Sequence, residues 1–147
     1  MDIEAVRQAV AIDLERQDSL QHSWLALMDV SLWGRVKSSR LGAMSRLRRR
    51  VLDVGEKLVS LCAVRDWIPH PREQLKNALG SSLALKDALA QLHRAADDID
   101  GGEDGEHFST QLAALEQELA AWLPELENRW AMLLDTQYEE PEDDDAS

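Results

Sequence analysis

Cysteine, glycine and proline are all scarce in this chain of 147 residues, which contains one, seven and four of them, respectively. A single cysteine, Cys62, excludes an intramolecular disulfide framework and a cysteine-rich zinc site. So few glycines and prolines leave little of the turn punctuation that marks an all-β chain. The length corresponds to one domain, and a hydrophobic content of 44% is sufficient for a core.

Long apolar runs are absent as well, since no stretch approaches the roughly 18 residues that a membrane-spanning helix needs. The first four residues carry acids where a signal peptide carries bases. We therefore expect a cytoplasmic protein with no membrane partner. Cys62 lies in the apolar run 59–64, and we expect it to be a buried small hydrophobe rather than a nucleophile.

Apolar residues recur at intervals of three and four in four long segments, which is the pattern of amphipathic helices. The first segment covers residues 2–33. A capping-box-like sequence starts at Asp18 and leaves open whether this segment forms one helix or two, with a break near that residue. The second segment begins at Ser38 or Ser39 and reaches Val64. Its predicted core seam consists of Met44, Leu47, Val51, Val54, Leu58 and Leu61.

The third segment opens at Pro71, because proline is favoured at the first position of a helix. It runs to about residue 99, and Ser82 fills one position of its apolar seam. The stretch Asp100–His107, rich in glycine and acids, follows and is predicted to be an exposed loop.

The fourth segment is expected to start at Ser109, which can cap a helix, and to end near Gln137. Pro124 falls inside it and should kink or divide the helix, since proline lacks a backbone donor. Trp130 is expected at the edge of its apolar seam. The last ten residues, 138–147, are rich in acids and contain no aliphatic residue beyond Ala146. We expect them to form a disordered tail.

The predicted fold is therefore an all-α bundle of four to five helices with short loops, a single domain over residues 1–137 and a disordered acidic C-terminal tail over 138–147. No segment alternates as a β-strand would. The seams of several helices follow heptad-like spacing, and this pattern favours self-association or docking into a larger assembly.

Charge is distributed unevenly along the chain, although its net charge is −12. Residues 35–65 carry nine basic and two acidic side chains, and residues 100–147 carry one basic and fifteen acidic ones. On the helix within the basic segment, one flank holds Arg46, Arg50 and Lys57. Arg48 lies on the other flank and Arg49 on the back. Such a surface can replace the counterions of a polyanion or meet an acidic protein.

The same charges have a second interpretation, in which the basic face is solvated and paired with carboxylates. Asp53 is spaced to bridge both Arg50 and Lys57 within the helix. No aromatic residue is interleaved with the bases, so stacking on single-stranded nucleic acid is not supported. The acidic tail has two interpretations as well. It can keep the chain in solution, or it can fold over the basic helix and screen it.

Trp33 is the single aromatic residue that we single out for partner binding, because it points away from the stripe shared by Trp24 and Met28. The sequence contains no His-x-x-x-His pair, no glycine-rich phosphate loop and no Gly-x-Ser-x-Gly nucleophile elbow. We therefore expect neither a cofactor nor a metal ion, and no small-molecule substrate is evident.

One short motif points to catalysis. The stretch from Arg65 to His70 resembles the Arg-polar-x-x-x-His signature of HEPN domains, which are small all-α proteins that often dimerise. Many members cleave RNA, so the resemblance implies a toxin-type ribonuclease. Arg65 would then contact phosphate and His70 would transfer a proton. The alternative is an interhelical turn in which His70 caps a helix.

Taken together, these patterns predict a non-catalytic binding or adaptor protein, a small helical subunit of a larger complex. Its expected binding residues are Arg46, Arg48, Arg49, Arg50, Lys57 and Trp33. The expected partner is a protein, a second copy of the chain, or a nucleic acid held by the basic helix. The HEPN-like ribonuclease is the alternative function.

Overall fold

The computed structural model describes residues 3–28, 41–63, 70–97 and 102–138. Five helices account for nearly all of this part of the chain. They are α1 (Ile3–Val10), α2 (Leu14–Met28), α3 (Leu41–Ala63), α4 (Pro71–Asp97) and α5 (Gly102–Tyr138). The described part contains no strand, and the predicted all-α bundle is confirmed.

Helices α2 to α5 form the four corners of the bundle, in which α3 packs on α4, α4 on α5, α5 on α2 and α2 on α3. Helix α1 lies against α4 and α5. The α4–α5 pair is antiparallel, because Ser82 contacts Glu127 whereas His93, farther along α4, contacts the earlier Glu116. None of the described helices is long and apolar enough to cross a membrane.

The predicted seams form the centre of the bundle. All six seam residues of α3 are buried, and the seam of α4 is buried at Leu75, Ala78, Leu85, Leu89 and Leu92. Ser82 occupies the remaining position and is fully buried. It donates a hydrogen bond to the carboxylate of Glu127 on α5, which satisfies its hydroxyl in the interior.

The N-terminal segment divides into two helices, but the break lies at residues 11–13 and not near Asp18. Asp13 caps α2, because its Oδ1 accepts the backbone N–H of Arg16 at 2.8 Å and its carbonyl accepts that of Gln17 at 3.0 Å. The Gln17 side chain also donates to the carbonyl of Ile12 at 2.6 Å. Asp18 is an exposed residue within α2.

A tryptophan from the other end of the sequence stabilises this break. Trp130 was expected at the edge of its seam, yet it is fully buried. Its Nε1 donates to the carbonyl of Ala9 at 2.7 Å. The last carbonyls of a helix have no partner within that helix, so Trp130 satisfies one of them at the end of α1.

Helix α5 begins earlier than the sequence predicts. It starts at Gly102, so most of the expected loop 100–107 is helical and Ser109 lies inside the helix. Phe108, buried in the core, extends the apolar face one turn beyond Leu112 and stabilises this first part. Pro124 does not divide α5. Its ring is exposed, as is Ala120, whose carbonyl would otherwise accept the missing hydrogen bond.

Helix α5 ends at Tyr138, one residue past the predicted boundary of the domain. The acidic residues 139–147 lie outside the described part of the chain, and so do Trp33 and Arg65.

Candidate functional site

Four arginines lie within five residues of α3, and we call them the arginine cluster: Arg46, Arg48, Arg49 and Arg50. Three of them are exposed, and Arg50 is half-buried. The helix rises only about 6 Å between the first and the last. The positive charge is therefore concentrated in a short length of α3, with Arg46 and Arg50 on one flank, Arg48 on the other and Arg49 on the back.

Carboxylates neutralise several other cations of the bundle. Lys86 lies 2.7 Å from Glu127, and Arg7 and Arg16 pair with acids three residues earlier in their own helices or caps. The predicted bridge from Asp53 to Lys57 forms, at 4.0 Å. Within the described residues, however, no ion pair involves any member of the arginine cluster. Lys57 therefore differs from the arginine cluster in two ways: it has a carboxylate partner, and it lies about two turns farther along α3.

Helix α3 carries a second row of residues beside its buried seam, and this row was missed in the sequence. Its members recur at intervals of four and three: Arg48, Leu52, Gly55, Val59 and Cys62. Arg48 and Gly55 are not apolar residues, so this row does not stand out as an apolar stripe. The signal that could have revealed the row is its regular spacing of four and three residues.

The second row borders, from Leu52 to Cys62, an open groove of about 880 Å³ between α2 and α3. Residues 17–24 of α2 form one wall and residues 52–63 of α3 the other. Leu52 and Val59 remain 46% and 69% exposed, so the apolar row is only partly covered by α2. Cys62 lines the groove as well and is half-buried, not fully buried as expected.

Trp24 joins the two walls of the groove. Its Nε1 donates to the carbonyl of Val51 at 2.8 Å, so the indole reaches across from α2 to the backbone of α3. A β-carbon placed on Gly55 would lie only 2.7 Å from the Cε2 and Cζ2 atoms of the indole. The glycine therefore permits this close approach.

Of the two residues of the HEPN-like motif, only His70 belongs to the described residues. It is exposed and immediately precedes α4. Its carbonyl accepts the backbone N–H of Gln74 at 3.0 Å, which is the bond made by a residue at the N-terminal cap of a helix. His70 therefore lies at the N-terminal cap of α4, as expected, and makes the capping bond with its backbone carbonyl.

Several polar contacts between the corners of the bundle involve α5. The carboxylate of Glu127 accepts from Ser82 and pairs with Lys86, His93 contacts Glu116 at 2.7 Å, and Ser23 donates to Glu118 at 2.6 Å. These pairs tie α4 and α2 to α5. Among the described residues, no group of three or more His, Cys, Asp or Glu side chains could hold a metal ion.

Comparison of the chain with protein-family models, with curated proteins and with solved structures gave no significant match. The candidate site is therefore defined by two adjoining features of α3, the arginine cluster and the groove.

Proposed function

We propose that this chain is a non-catalytic binding protein that docks an acidic segment of another protein through the arginine cluster of α3. The observation that carries the proposal is the lack of ion pairs at Arg46, Arg48 and Arg49 within the described part of the chain, although all three are exposed. Arginine guanidinium groups bind carboxylates with two parallel hydrogen bonds, which suits a cluster of Asp and Glu side chains.

The short length of the cluster along the axis of α3 favours an acidic protein segment over a nucleic acid. Duplex DNA presents a negative charge every few ångströms over a long distance, and proteins that bind it usually contact several phosphates. Lys57, the next cation of α3, is already paired with Asp53. The net charge of −12 would also repel a long polyanion more strongly than a short acidic segment.

The experiment compares two triple variants with the same change in charge. The test variant is Arg46→Gln/Arg48→Gln/Arg49→Gln, and the control is Lys76→Gln/Arg94→Gln/Arg129→Gln, in which three exposed cations on α4 and α5 are removed. The probes are a labelled ten-residue glutamate peptide and labelled single-stranded and duplex oligonucleotides. Fluorescence anisotropy reports binding at several salt concentrations.

We expect the glutamate peptide to bind the wild type and the control, and to bind the test variant at least about tenfold more weakly, a loss of roughly 1.4 kcal/mol. Binding should weaken with salt in the wild type and depend less on salt in the test variant. If an oligonucleotide bound tightly and its binding required the same arginines, the partner would be a nucleic acid and not an acidic protein. Equal peptide binding by both triple variants would refute the proposal.

A further inference from the structure

We infer that the groove between α2 and α3 accommodates one amphipathic helix of a partner protein, with acidic residues at the end that lies beside Arg48. The inference deepens the proposed function and rests on it, because the acidic end of this helix is what Arg48, a member of the arginine cluster, would bind. The remainder of the helix would be held by apolar contacts that do not depend on the arginines.

The spacing of the second row of α3 is the first argument. A row of residues at intervals of three and four is the surface on which another helix packs. Helix α2 covers this row around Gly55, where Trp24 contacts it. Leu52 and Val59, one on each side of that glycine, stay largely exposed. From Leu52 to Cys62 the row spans about 15 Å, which matches three turns of a helix.

The distribution of charge around the groove is the second argument. Arg48 lies one turn before Leu52 in the second row, at one end of the groove. Asp18 of α2 and Glu56 of α3 line the groove itself. Trp24, at one end of the α2 wall, contacts Val51, next to the N-terminal end of the α3 wall. Asp18 lies near the other end of the α2 wall, and therefore farther toward the C-terminal end of α3. A complementary helix therefore carries acids at the Arg48 end and basic or neutral residues at the other.

The experiment selects the partner's chemistry directly. A displayed library of 14-residue helical peptides is selected against the full chain, and the selected peptides are synthesised with a fluorescent label. We expect apolar residues at intervals of three and four, together with acids at one end. Peptides that lack the apolar stripe, or failure of the library to yield a binder, would overturn the inference.

Two neutral double variants locate the binding. In Leu52→Gln/Val59→Gln the exposed apolar residues of the groove become polar, whereas Leu83→Gln/Met132→Gln makes the same change at two residues of α4 and α5 that are similarly exposed. We expect the first variant to lose at least about tenfold in affinity for the selected peptides and the second less than about twofold. Equal affinities for both variants would place the peptides elsewhere and refute the groove.

The thiol of Cys62 gives an independent readout, because it is the only cysteine of the chain and lines the groove. A saturating selected peptide should slow its reaction with an aromatic disulfide at least about tenfold, since the reaction needs access to the thiolate. Unchanged reactivity would contradict the inference. Dimers of the protein alone that dissociate in Leu52→Gln/Val59→Gln would also contradict it, because a second copy would then be the occupant.

The groove and the arginine cluster can fail separately. Selected peptides that bind Arg46→Gln/Arg48→Gln/Arg49→Gln as tightly as the wild type, but still require Leu52 and Val59, would refute the acidic end and the proposed function while leaving an apolar helix site. A glutamate peptide that needs the arginines, combined with no effect of the groove variant on the selected peptides, would refute the groove alone.

Discussion

The indole of Trp24 lies so close to the backbone of Gly55 that a single additional carbon atom on the glycine would clash with it. The same indole donates a hydrogen bond to Val51, one turn earlier on α3. Because these two contacts come from one side chain, they fix both the spacing of α2 and α3 and the position of α2 along α3. They therefore determine the width of the groove between the two helices.

Gly55→Ala is expected to destabilise the protein even though alanine is the better helix former. Helix propensity alone favours the substitution by about 1 kcal/mol. The new methyl group would approach the indole to 2.7 Å, and relief of such a clash in a packed interface costs about 1–3 kcal/mol. Urea unfolding should therefore show a net loss of stability.

Gly80→Ala is the matched control, since a β-carbon there meets nothing within 4 Å. Gly80 is an exposed residue within α4, and its substitution should stabilise the protein by about 0.5–1 kcal/mol. If both substitutions stabilised the protein equally, Trp24 would not be held against Gly55 as described.

Trp130→Phe should destabilise the protein more than Trp122→Phe does. Both indoles are buried, but that of Trp130 alone donates to the carbonyl at the end of α1. The substitution leaves that carbonyl without its donor, and we expect an additional cost of at least about 1 kcal/mol in denaturant unfolding. Trp122→Phe instead weakens the contact with the Arg16 guanidinium, 5.1 Å from the ring centre, because phenylalanine keeps an aromatic face, and the whole contact contributes only about 0.5–1 kcal/mol. Equal losses would show that the bond to Ala9 adds nothing.

Asp13→Ala and Asp18→Ala distinguish the two positions at which α2 could begin. Asp13 accepts the backbone N–H of Arg16, and loss of such a cap costs about 0.5–2 kcal/mol. Asp18 is exposed within the helix, so its replacement should change the unfolding free energy by less than about 0.5 kcal/mol. If Asp18→Ala lost more unfolding free energy than Asp13→Ala, α2 would begin near Asp18, as the sequence pattern suggests, and not at Asp13.

His70→Ala tests the ribonuclease alternative. We expect the purified wild type to leave single-stranded RNA intact. The melting temperature should change little in the variant, because His70 contributes its backbone carbonyl, and not its side chain, to the bond with Gln74. Cleavage of RNA by the wild type that disappears in both Arg65→Ala and His70→Ala would favour the HEPN-like function over the binding function.

The regular interval of apolar residues made α3 and α4 predictable from the sequence alone. The seam of α3 is uninterrupted and that of α4 contains one polar residue, Ser82, and every seam residue of α3 is buried as expected. The start of α2 was not predictable in this way, because Asp13 and Asp18 are both good capping residues followed by suitable sequences. The break before Asp13 adjoins the end of α1, where Ala9 is held by Trp130, 121 residues away, and a local sequence pattern does not contain that contact.

The same reasoning explains the other differences. Residues 102–107 have the composition of a loop, and they are helical because Phe108 and Leu112 attach the start of α5 to the core. The arginine cluster was visible in the sequence, whereas the groove beside it was not. The row of α3 that borders the groove contains Gly55, and the sequence alone does not show that this glycine makes room for the indole of Trp24.

The hydrogen bond from Trp130 to Ala9 also bears on how the chain is made. The ribosome synthesises α1 before α5, so a further 121 residues have to be made before the carbonyl of Ala9 can meet the indole of Trp130. Helix α1 has only 8 residues, and a helix of that length is unstable alone in water. Domains usually fold in the order in which they are synthesised, but within this bundle the contact that completes the end of α1 has to form late, after Trp130 has been made.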